Sequence, residues 1–368
     1  MIDSKKKILV LCPYPEGVAA GQRLKYEQYI ENWQENGFEV EVSNFSDIDL
    51  WSILHQEGHY ARKFLGTIRG YLKRIKILFR IKDYDLVYVF MWVSPIGTLF
   101  ERAVRGLSKS LIFDFDDFVH IDLSFNKTSF TSWIIAKLKG GSRKTKYLIK
   151  NSDHVIISSP FHLDYCRNLN YKHASDYIPC SLNTDYFVPR HSSKKERKVV
   201  IGWTGTFSSK PYLDSLKEVF MSLSEMHDFK LKIIGNFDYK LPGIDLEVIQ
   251  WSKDHEIDDL QSIDIGIYPI FFDEWGLGKG GLKAMQYMAI GLPVVASDYG
   301  TSSIILENQK DGLLVKTNED WLNALNFLIK NPDKRIELGQ YGRKKVVEKY
   351  STNVVKSKYL AILESNCL

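Results

Sequence analysis

The sequence predicts an α/β fold built from two doubly wound, Rossmann-like domains in tandem, and three observations carry that prediction. The chain has 368 residues, room for two domains at about 100–200 residues each. Short apolar runs alternate with helical patterns through the first half, and the alternation restarts after residue 198. Between the two sets lies Pro189 to Lys198, a polar stretch without periodicity that reads as a linker. The first domain is therefore expected over 1–190, with the second starting at 191.

The elements follow in order. Ile8 to Leu11 is a short apolar run, the mark of a strand buried on both faces of a parallel sheet. A Pro/Gly loop, Pro13 to Gly21, leads to a helical pattern over Leu24 to Trp33, closed by Asn36-Gly37. Phe38 to Phe45 alternates as a strand, and Leu86 to Met91, Leu111 to Phe115 and Val155 to Ile157 are further short strands. In the second half, Val199 to Ile201, Leu231 to Ile234, Leu246 to Ile249, Ile265 to Tyr268 and Pro293 to Ala296 read as strands, with helices between most of them.

Composition excludes several function classes. The 49 Lys+Arg nearly balance 45 Asp+Glu, so no general nucleic-acid binder is expected. The positive excess sits in residues 1–190, with 26 basic against 21 acidic residues. No apolar run reaches the roughly 18–20 residues of a membrane span, and the start reads as a first strand rather than a signal peptide. Cys12, Cys166, Cys180 and Cys367 are scattered, which reads as reduced thiols of a cytoplasmic protein. No dinucleotide glycine fingerprint follows the first strand, and P-loop, zinc-protease and nucleophile-elbow motifs are missing. The histidines show no metal-ligand spacing, so no metal site is expected.

Four constellations remain. The first runs from Asp273 to Gly291, between a strand and a helix. Gly280 and Gly281 let backbone N–H groups approach an anion where a helix begins. Lys279 and Lys283 are four apart and are expected to share a face. A Lys in a first helical turn opposes the helix dipole, a conflict that a bound phosphate resolves. The second is Gly202 to Lys210, where Gly205, Thr206 and neighbouring hydroxyls can meet a diphosphate or simply form a capped turn. The third is Asp114-Phe115-Asp116-Asp117 at a strand end. Alternation puts Asp114 and Asp116 on one side, for a sugar, a proton or, less favoured, a metal.

The fourth is the stretch 61–82, with eight Lys/Arg and no acid. Phe64, Ile68, Leu72, Ile75 and Phe79 form an apolar stripe, with Arg62, Arg69, Lys73, Lys76 and Arg80 on other faces. Two readings stay open: an interfacial helix on an anionic membrane, or a domain helix whose stripe is core. A second basic stretch, 137–150, leans toward the membrane.

Residues 278–297, Gly-Lys-Gly-Gly-Leu-Lys-Ala-Met-Gln-Tyr-Met-Ala-Ile-Gly-Leu-Pro-Val-Val-Ala-Ser, resemble the donor-site helix of glycosyltransferase family 4, in a branch with Gly-Lys and a second Lys. The resemblance extends to Lys7–Gly37, to Ile178–Pro189, to Ile201–Lys210 and to the tail Tyr350–Ser365. It implies a GT-B fold, two Rossmann-like domains facing across a cleft. An acceptor-side domain over 1–190 would precede a donor domain over 191–348, with a crossover helix at 349–368. It implies a retaining, metal-independent glycosyltransferase without a cofactor, using a nucleotide-diphosphate sugar and a glycan or lipid-linked acceptor. Surface-polysaccharide or glycoconjugate synthesis, at the inner membrane face, is the expected setting.

The resemblance assigns Lys279, Lys283, Gly205, Thr206, Gly280 and Gly281 to the diphosphate and Gln286 to the ribose. Asp116 faces the sugar or acceptor, with Gly21, Arg23 and Asp114 lining the cleft. Most members carry two Glu with seven residues between them; here Gly278 and Gln286 hold those positions, and Glu274 is the nearby candidate replacement. Two alternatives follow: a non-catalytic nucleotide- or glycan-binding scaffold, and a GT-B nucleotide-sugar epimerase.

Overall fold

The computed structural model describes residues 5–54, 56–116, 141–189 and 198–367. The chain forms two compact units. The first joins residues 1–179 to 355–368, and the second spans 180–354. Asp117, residues 137–140 of the second basic stretch and linker residues 190–197 lie outside the described residues.

The first unit holds a six-stranded parallel sheet in the order β2-β1-β3-β4-β5-β6. Its strands are β1 Lys6–Cys12, β2 Phe38–Asn44, β3 Leu86–Phe90, β4 Leu111–Phe115, β5 His154–Ile157 and β6 Ser175–Tyr177. Alternation divides each strand between two cores. Ile8 and Val10 pack on one face with Tyr29, Trp33 and Tyr88, while Leu9 and Leu11 pack on the other with Phe113, Leu148 and Ile157. The last helix of the chain, Thr352–Asn366, closes the first face with Val355, Tyr359, Ile362 and Leu363. The Tyr359 ring lies 4.7 Å from that of Tyr29.

The second unit repeats the architecture, in the order β12-β11-β10-β7-β8-β9. Its strands are β7 Val199–Gly205, β8 Phe229–Gly235, β9 Asp245–Gln250, β10 Ile265–Tyr268, β11 Val294–Ser297 and β12 Leu313–Val315. Gly202 and Gly266 lie where the sheet meets large side chains. A Cβ on Gly202 would come within 2.2 Å of Ile263, and one on Gly266 within 2.3 Å of the Tyr287 ring.

Four expectations change. The helix over Leu24 to Trp33 is broken into α1 Ala20–Arg23, a short turn and α2 Ile30–Glu35, because Lys25 and Tyr26 turn inward and are buried. The edge strands β6 and β12 have three residues each, too few for a period to register. The boundary between units falls at 179/180 rather than 190/191. Hydrogen bonds hold the intervening stretch to the second unit: Leu182 N–H donates to Tyr350 O at 3.0 Å, and the Arg343 guanidinium donates to Thr184 O at 2.7 Å.

The basic stretch ending at Lys150 is a core helix where it is described, over Gly141–Asn151. Leu148 and Ile149 are buried there, and Lys144 is drawn inside, 3.8 Å from Glu101. It therefore presents no outward apolar stripe to a membrane. The helix α3, Ile48–Leu54, and the long helix α4, Tyr60–Arg80, complete the connection from β2 to β3.

Candidate donor and acceptor sites

In the second unit, β7 ends in Trp203-Thr204-Gly205, and the chain turns through Thr206 into Phe207–Ser209. Gly205 is demanded by crowding: a Cβ there would lie 2.4 Å from the Trp203 ring and 3.1 Å from Lys283 Nζ. The turn is ordered by its own polar groups. Phe207 N–H donates to Asn236 Oδ1 at 2.9 Å, and the Thr206 and Ser208 hydroxyls lie 2.8 Å apart.

The second loop starts after β10. Asp273 caps a short helix, Glu274–Leu277, by accepting from Gly276 N–H at 2.7 Å. Gly281 then takes φ +76° and opens the helix Leu282–Ala289. That left-handed angle favours glycine, and a Cβ would also sit 2.7 Å from Ile305. Tyr287, one turn further on, is buried and accepts from Thr204 N–H at 2.8 Å, which ties this helix to the end of β7. Burial holds the Tyr287 hydroxyl well above the usual phenol range.

Lys283 joins the two loops. Its Nζ donates to Ser209 Oγ at 3.1 Å and lies 5.4 Å from the centre of the Trp203 ring. Lys279 goes elsewhere: it precedes the helix, and its Nζ lies 4.9 Å from the centre of the Trp275 ring. The expected shared face is thus not formed, because Gly280 and Gly281 intervene as non-helical backbone. Lys210, the last residue of the first loop, is held by Asp214 at 2.9 Å.

Gln286 is buried, and its Nε2 points to Glu256 Oε1 at 3.5 Å. Glu256, also buried, accepts from Trp251 Nε1 at 3.3 Å. The sequence reading missed Glu256, since nothing local distinguishes it from the acids around it. The partnership gives a physical account of the departure at 286: a Glu there would set a second carboxylate against Glu256. Glu274 is exposed on its short helix, and Gly278 is buried.

In the first unit, Asp114 and Asp116 do point the same way, and the group between them is Lys25. Its Nζ lies 2.6 Å from Asp114 Oδ1 and 3.0 Å from Asp116 Oδ1, and it donates to Phe115 O at 3.3 Å. Tyr88 donates to Asp114, and Ser158 donates to Asp116. Asp114 is fully buried, and desolvation lifts its carboxyl to about 6 against the pull of Lys25. Asp116 keeps a quarter of its side chain exposed, and its Oδ2 would lie 3.6 Å from a Cβ on Gly21. Gly21, Asp114 and Asp116 therefore lie together. Arg23, half-buried, ends α1 two residues before Lys25. Lys25 was missed because a lysine in an apparent amphipathic helix reads as a solvated residue.

Among the described residues no group of three or more His, Cys, Asp or Glu side chains is placed to hold a metal ion. No described helix is long and apolar enough to cross a membrane.

Comparison with known proteins bears on both units. Residues 187–345 match the family Glycosyl transferases group 1. A D-inositol 3-phosphate glycosyltransferase of Corynebacterium jeikeium (strain K411) is 41% identical over 63 residues, which is 17% of this chain and 15% of that protein. The matched stretches span between 14% and 22% of the length of the chain's curated relatives. Whole-chain likeness comes from solved structures. Sucrose-phosphate synthase from Thermosynechococcus elongatus superposes with a TM-score of 0.72 at 16% identity, over 98% of this chain and 99% of that one. Anabaena HepE in complex with UDP-glucose gives 0.67 at 13% identity, over 98% and 99%. The two six-stranded parallel sheets and the last helix returning to the first unit are the GT-B fold.

Proposed function

We propose, from the match of residues 187–345 to the glycosyl transferases group 1, that the chain is a retaining glycosyltransferase. It takes a sugar from a nucleotide-diphosphate sugar and passes it to a glycan or lipid-linked acceptor in surface-polysaccharide or glycoconjugate synthesis. It works peripherally on the inner face of the plasma membrane.

The observation that carries the donor reading is Lys283. Its ammonium stands 3.1 Å from Ser209 Oγ, between a glycine turn at a strand end and the start of a helix. Those are the two backbone features that bind phosphate. When the bond from the anomeric carbon to the phosphate oxygen breaks, the nucleoside diphosphate leaves with added negative charge on that oxygen. Lys283 and the N–H groups of Gly205, Thr206, Gly280 and Gly281 stabilise that charge more than the ground state, which is what accelerates the step. The acceptor hydroxyl forms the new bond to the anomeric carbon, and its proton passes to the departing diphosphate oxygen. Lys279 assists at longer range, Gln286 meets the ribose, and Glu274 stands in for the family's sugar-contacting Glu.

Asp116 serves the sugar or acceptor side, with Gly21, Arg23 and Asp114 around it. Its Oδ2 faces Gly21, 3.6 Å from where a Cβ would stand. The place between Asp114 and Asp116 where a divalent cation would sit is taken by the Lys25 ammonium, which favours chemistry without a metal. UDP-glucose in the HepE structure motivates uracil donors as the first to try.

The test is a thermal-shift screen with UDP, GDP, ADP and their sugars, followed by detection of transfer. A bound ligand raises the midpoint in proportion to RT ln(1 + [L]/Kd). No shift with any nucleotide refutes the donor reading. Isomerised nucleotide sugar with no transfer would assign an epimerase instead.

A further inference from the structure

The apolar stripe of α4 faces outward. Phe64 is 66% and Phe79 85% exposed, and Ile68, Leu72 and Ile75 are exposed between them. The side that meets the unit is a different one: Gly66, Gly70, Arg74 and Ile77 are its buried residues. Gly66 and Gly70 let the helix press close, since a Cβ on Gly70 would lie 2.6 Å from the Phe45 ring and one on Gly66 3.0 Å from Leu50. Arg74 fixes the seam. It donates to Val93 O at 2.7 Å, to Cys12 O at 2.9 Å and to Ser43 O at 3.0 Å.

At 3.6 residues per turn, the buried, basic and exposed apolar residues occupy three successive sectors of the helix. Arg62, Arg69, Lys73, Lys76 and Arg80 border the apolar stripe. The helix itself contains no acid. Arg69 and Arg80 reach Asp47 and Glu41, while Arg62, Lys73 and Lys76 have no carboxylate within ion-pair distance among the described residues. On the other border, the Tyr71 and Phe100 rings meet at 5.3 Å, and Ile96 and Leu99 nearby are exposed.

The height of the helix is also set by its contacts. Arg80 meets Glu41 within β2, Arg74 meets Ser43 and Cys12 at the strand ends, and Gly70 meets Phe45 beyond them. The helix therefore runs antiparallel to β2. Phe64, Ile68 and Leu72 stand past the carboxyl edge of the sheet, the edge at which Gly21 and Asp116 lie.

We infer that the outward face of α4 docks the first unit on an anionic lipid bilayer, with the sheet edge that carries Asp116 brought to the lipid surface, so that the acceptor is taken from the membrane as a lipid-anchored molecule. This rests on the glycosyltransferase reading above for the identity of the acceptor, but the docking surface stands on α4 alone. Apolar side chains enter the acyl boundary while the bordering cations meet lipid phosphates. A second copy of the chain fits the face poorly, because the paired helices would bring unneutralised cations together.

The test is flotation of the full chain with vesicles of phosphatidylcholine and phosphatidylglycerol, beside pure phosphatidylcholine. Binding is expected to the anionic vesicles only and to weaken with salt. Lys73→Glu with Lys76→Glu removes about 1 kcal/mol per charge before any repulsion, at least a roughly 30-fold loss. Phe64→Ser with Phe79→Ser is expected to lose binding at least tenfold, with an unchanged melting temperature because both rings are already exposed. Equal flotation of wild type and both double variants overturns the inference, as does a concentration-dependent dimer that only the Phe variants abolish. The same samples are screened by thermal shift with nucleoside diphosphates. Nucleotide binding without vesicle binding removes this inference and leaves the glycosyltransferase reading intact; vesicle binding without any nucleotide response retains the docking surface and removes the acceptor assignment.

Discussion

Replacing Lys283 by alanine removes an ammonium that joins the two loops of the second unit. The truncation takes away the 3.1 Å bond to Ser209 Oγ and the stacking over Trp203. Neither leaves a large buried void, because Lys283 is only half-buried, so the fold should survive with a change of about 1 kcal/mol or less. The effect on ligand is larger. A charge-assisted hydrogen bond contributes roughly 1.5–3 kcal/mol, so nucleoside-diphosphate affinity should fall about ten- to a hundredfold. Because the leaving diphosphate gains charge in the transition state, kcat should fall as well. Lys283→Arg should restore part of the affinity, since the guanidinium fork reaches the same region with a different geometry. Lys210→Ala is the control: its ammonium is held by Asp214, and binding should change less than threefold. The assay is isothermal calorimetry with the diphosphate beside steady-state kinetics with the same donor. Unchanged affinity and kcat in Lys283→Ala would show that this lysine is a surface charge and that the donor lies elsewhere.

Further outcomes follow from the same geometry. Lys279→Ala should weaken diphosphate binding by about tenfold or less, and by less than Lys283→Ala, because its ammonium sits over Trp275 rather than beside the first loop; calorimetry under the same conditions ranks the two. Asp116→Ala should impair transfer more than nucleotide binding, and EDTA should leave transfer intact; loss with EDTA and recovery with Mn²⁺ would reassign Asp114 and Asp116 to a metal. Gln286→Glu, which restores the common family residue, should destabilise the second unit by about 1–3 kcal/mol by opposing Glu256, read as a lowered denaturation midpoint. Asp114 has its carboxyl raised to about 6 by burial, so the folded state holds this proton where the unfolded chain, near 4, has released it. Its contribution to stability is present below about pH 4 and lost as pH rises through about 6; denaturation of wild type and Asp114→Asn at pH 4, 5 and 6 should show the difference between them shifting in that direction.

Much of the architecture was legible because buried parallel strands write themselves as short apolar runs. Ten of the strands were readable, β2 from its alternation and the others from such runs, and the two that escaped, β6 and β12, are three-residue edges. Helix breaks were harder. Periodicity over Leu24 to Trp33 continues through Lys25, yet Lys25 turns inward to two carboxylates far along the chain. Only the fold brings those partners together. The same holds for Glu256 with Gln286, thirty residues apart, and for Lys283 with Ser209. The loop chemistry at Gly205 and at Gly280-Gly281 was readable, because glycines at a strand end and a helix start have few other uses. The α4 stripe was legible as a pattern but not as a surface: apolar periodicity marks one face of a helix without saying whether core or lipid covers it. Arg74 and the two glycines decide that, since they occupy the side that a core-facing stripe would need.

The central claim is that this chain moves a sugar from a nucleotide-diphosphate donor. The direct measurement incubates the full chain with radiolabelled nucleotide sugars and a bacterial lipid extract, and follows both free nucleoside diphosphate and label in the lipid phase. The account predicts diphosphate release matched mole for mole by labelled lipid product with the donor's anomeric configuration, and loss of both in Lys283→Ala. Tight nucleotide binding with no release of diphosphate from any donor would contradict it and identify the chain as a nucleotide-binding scaffold.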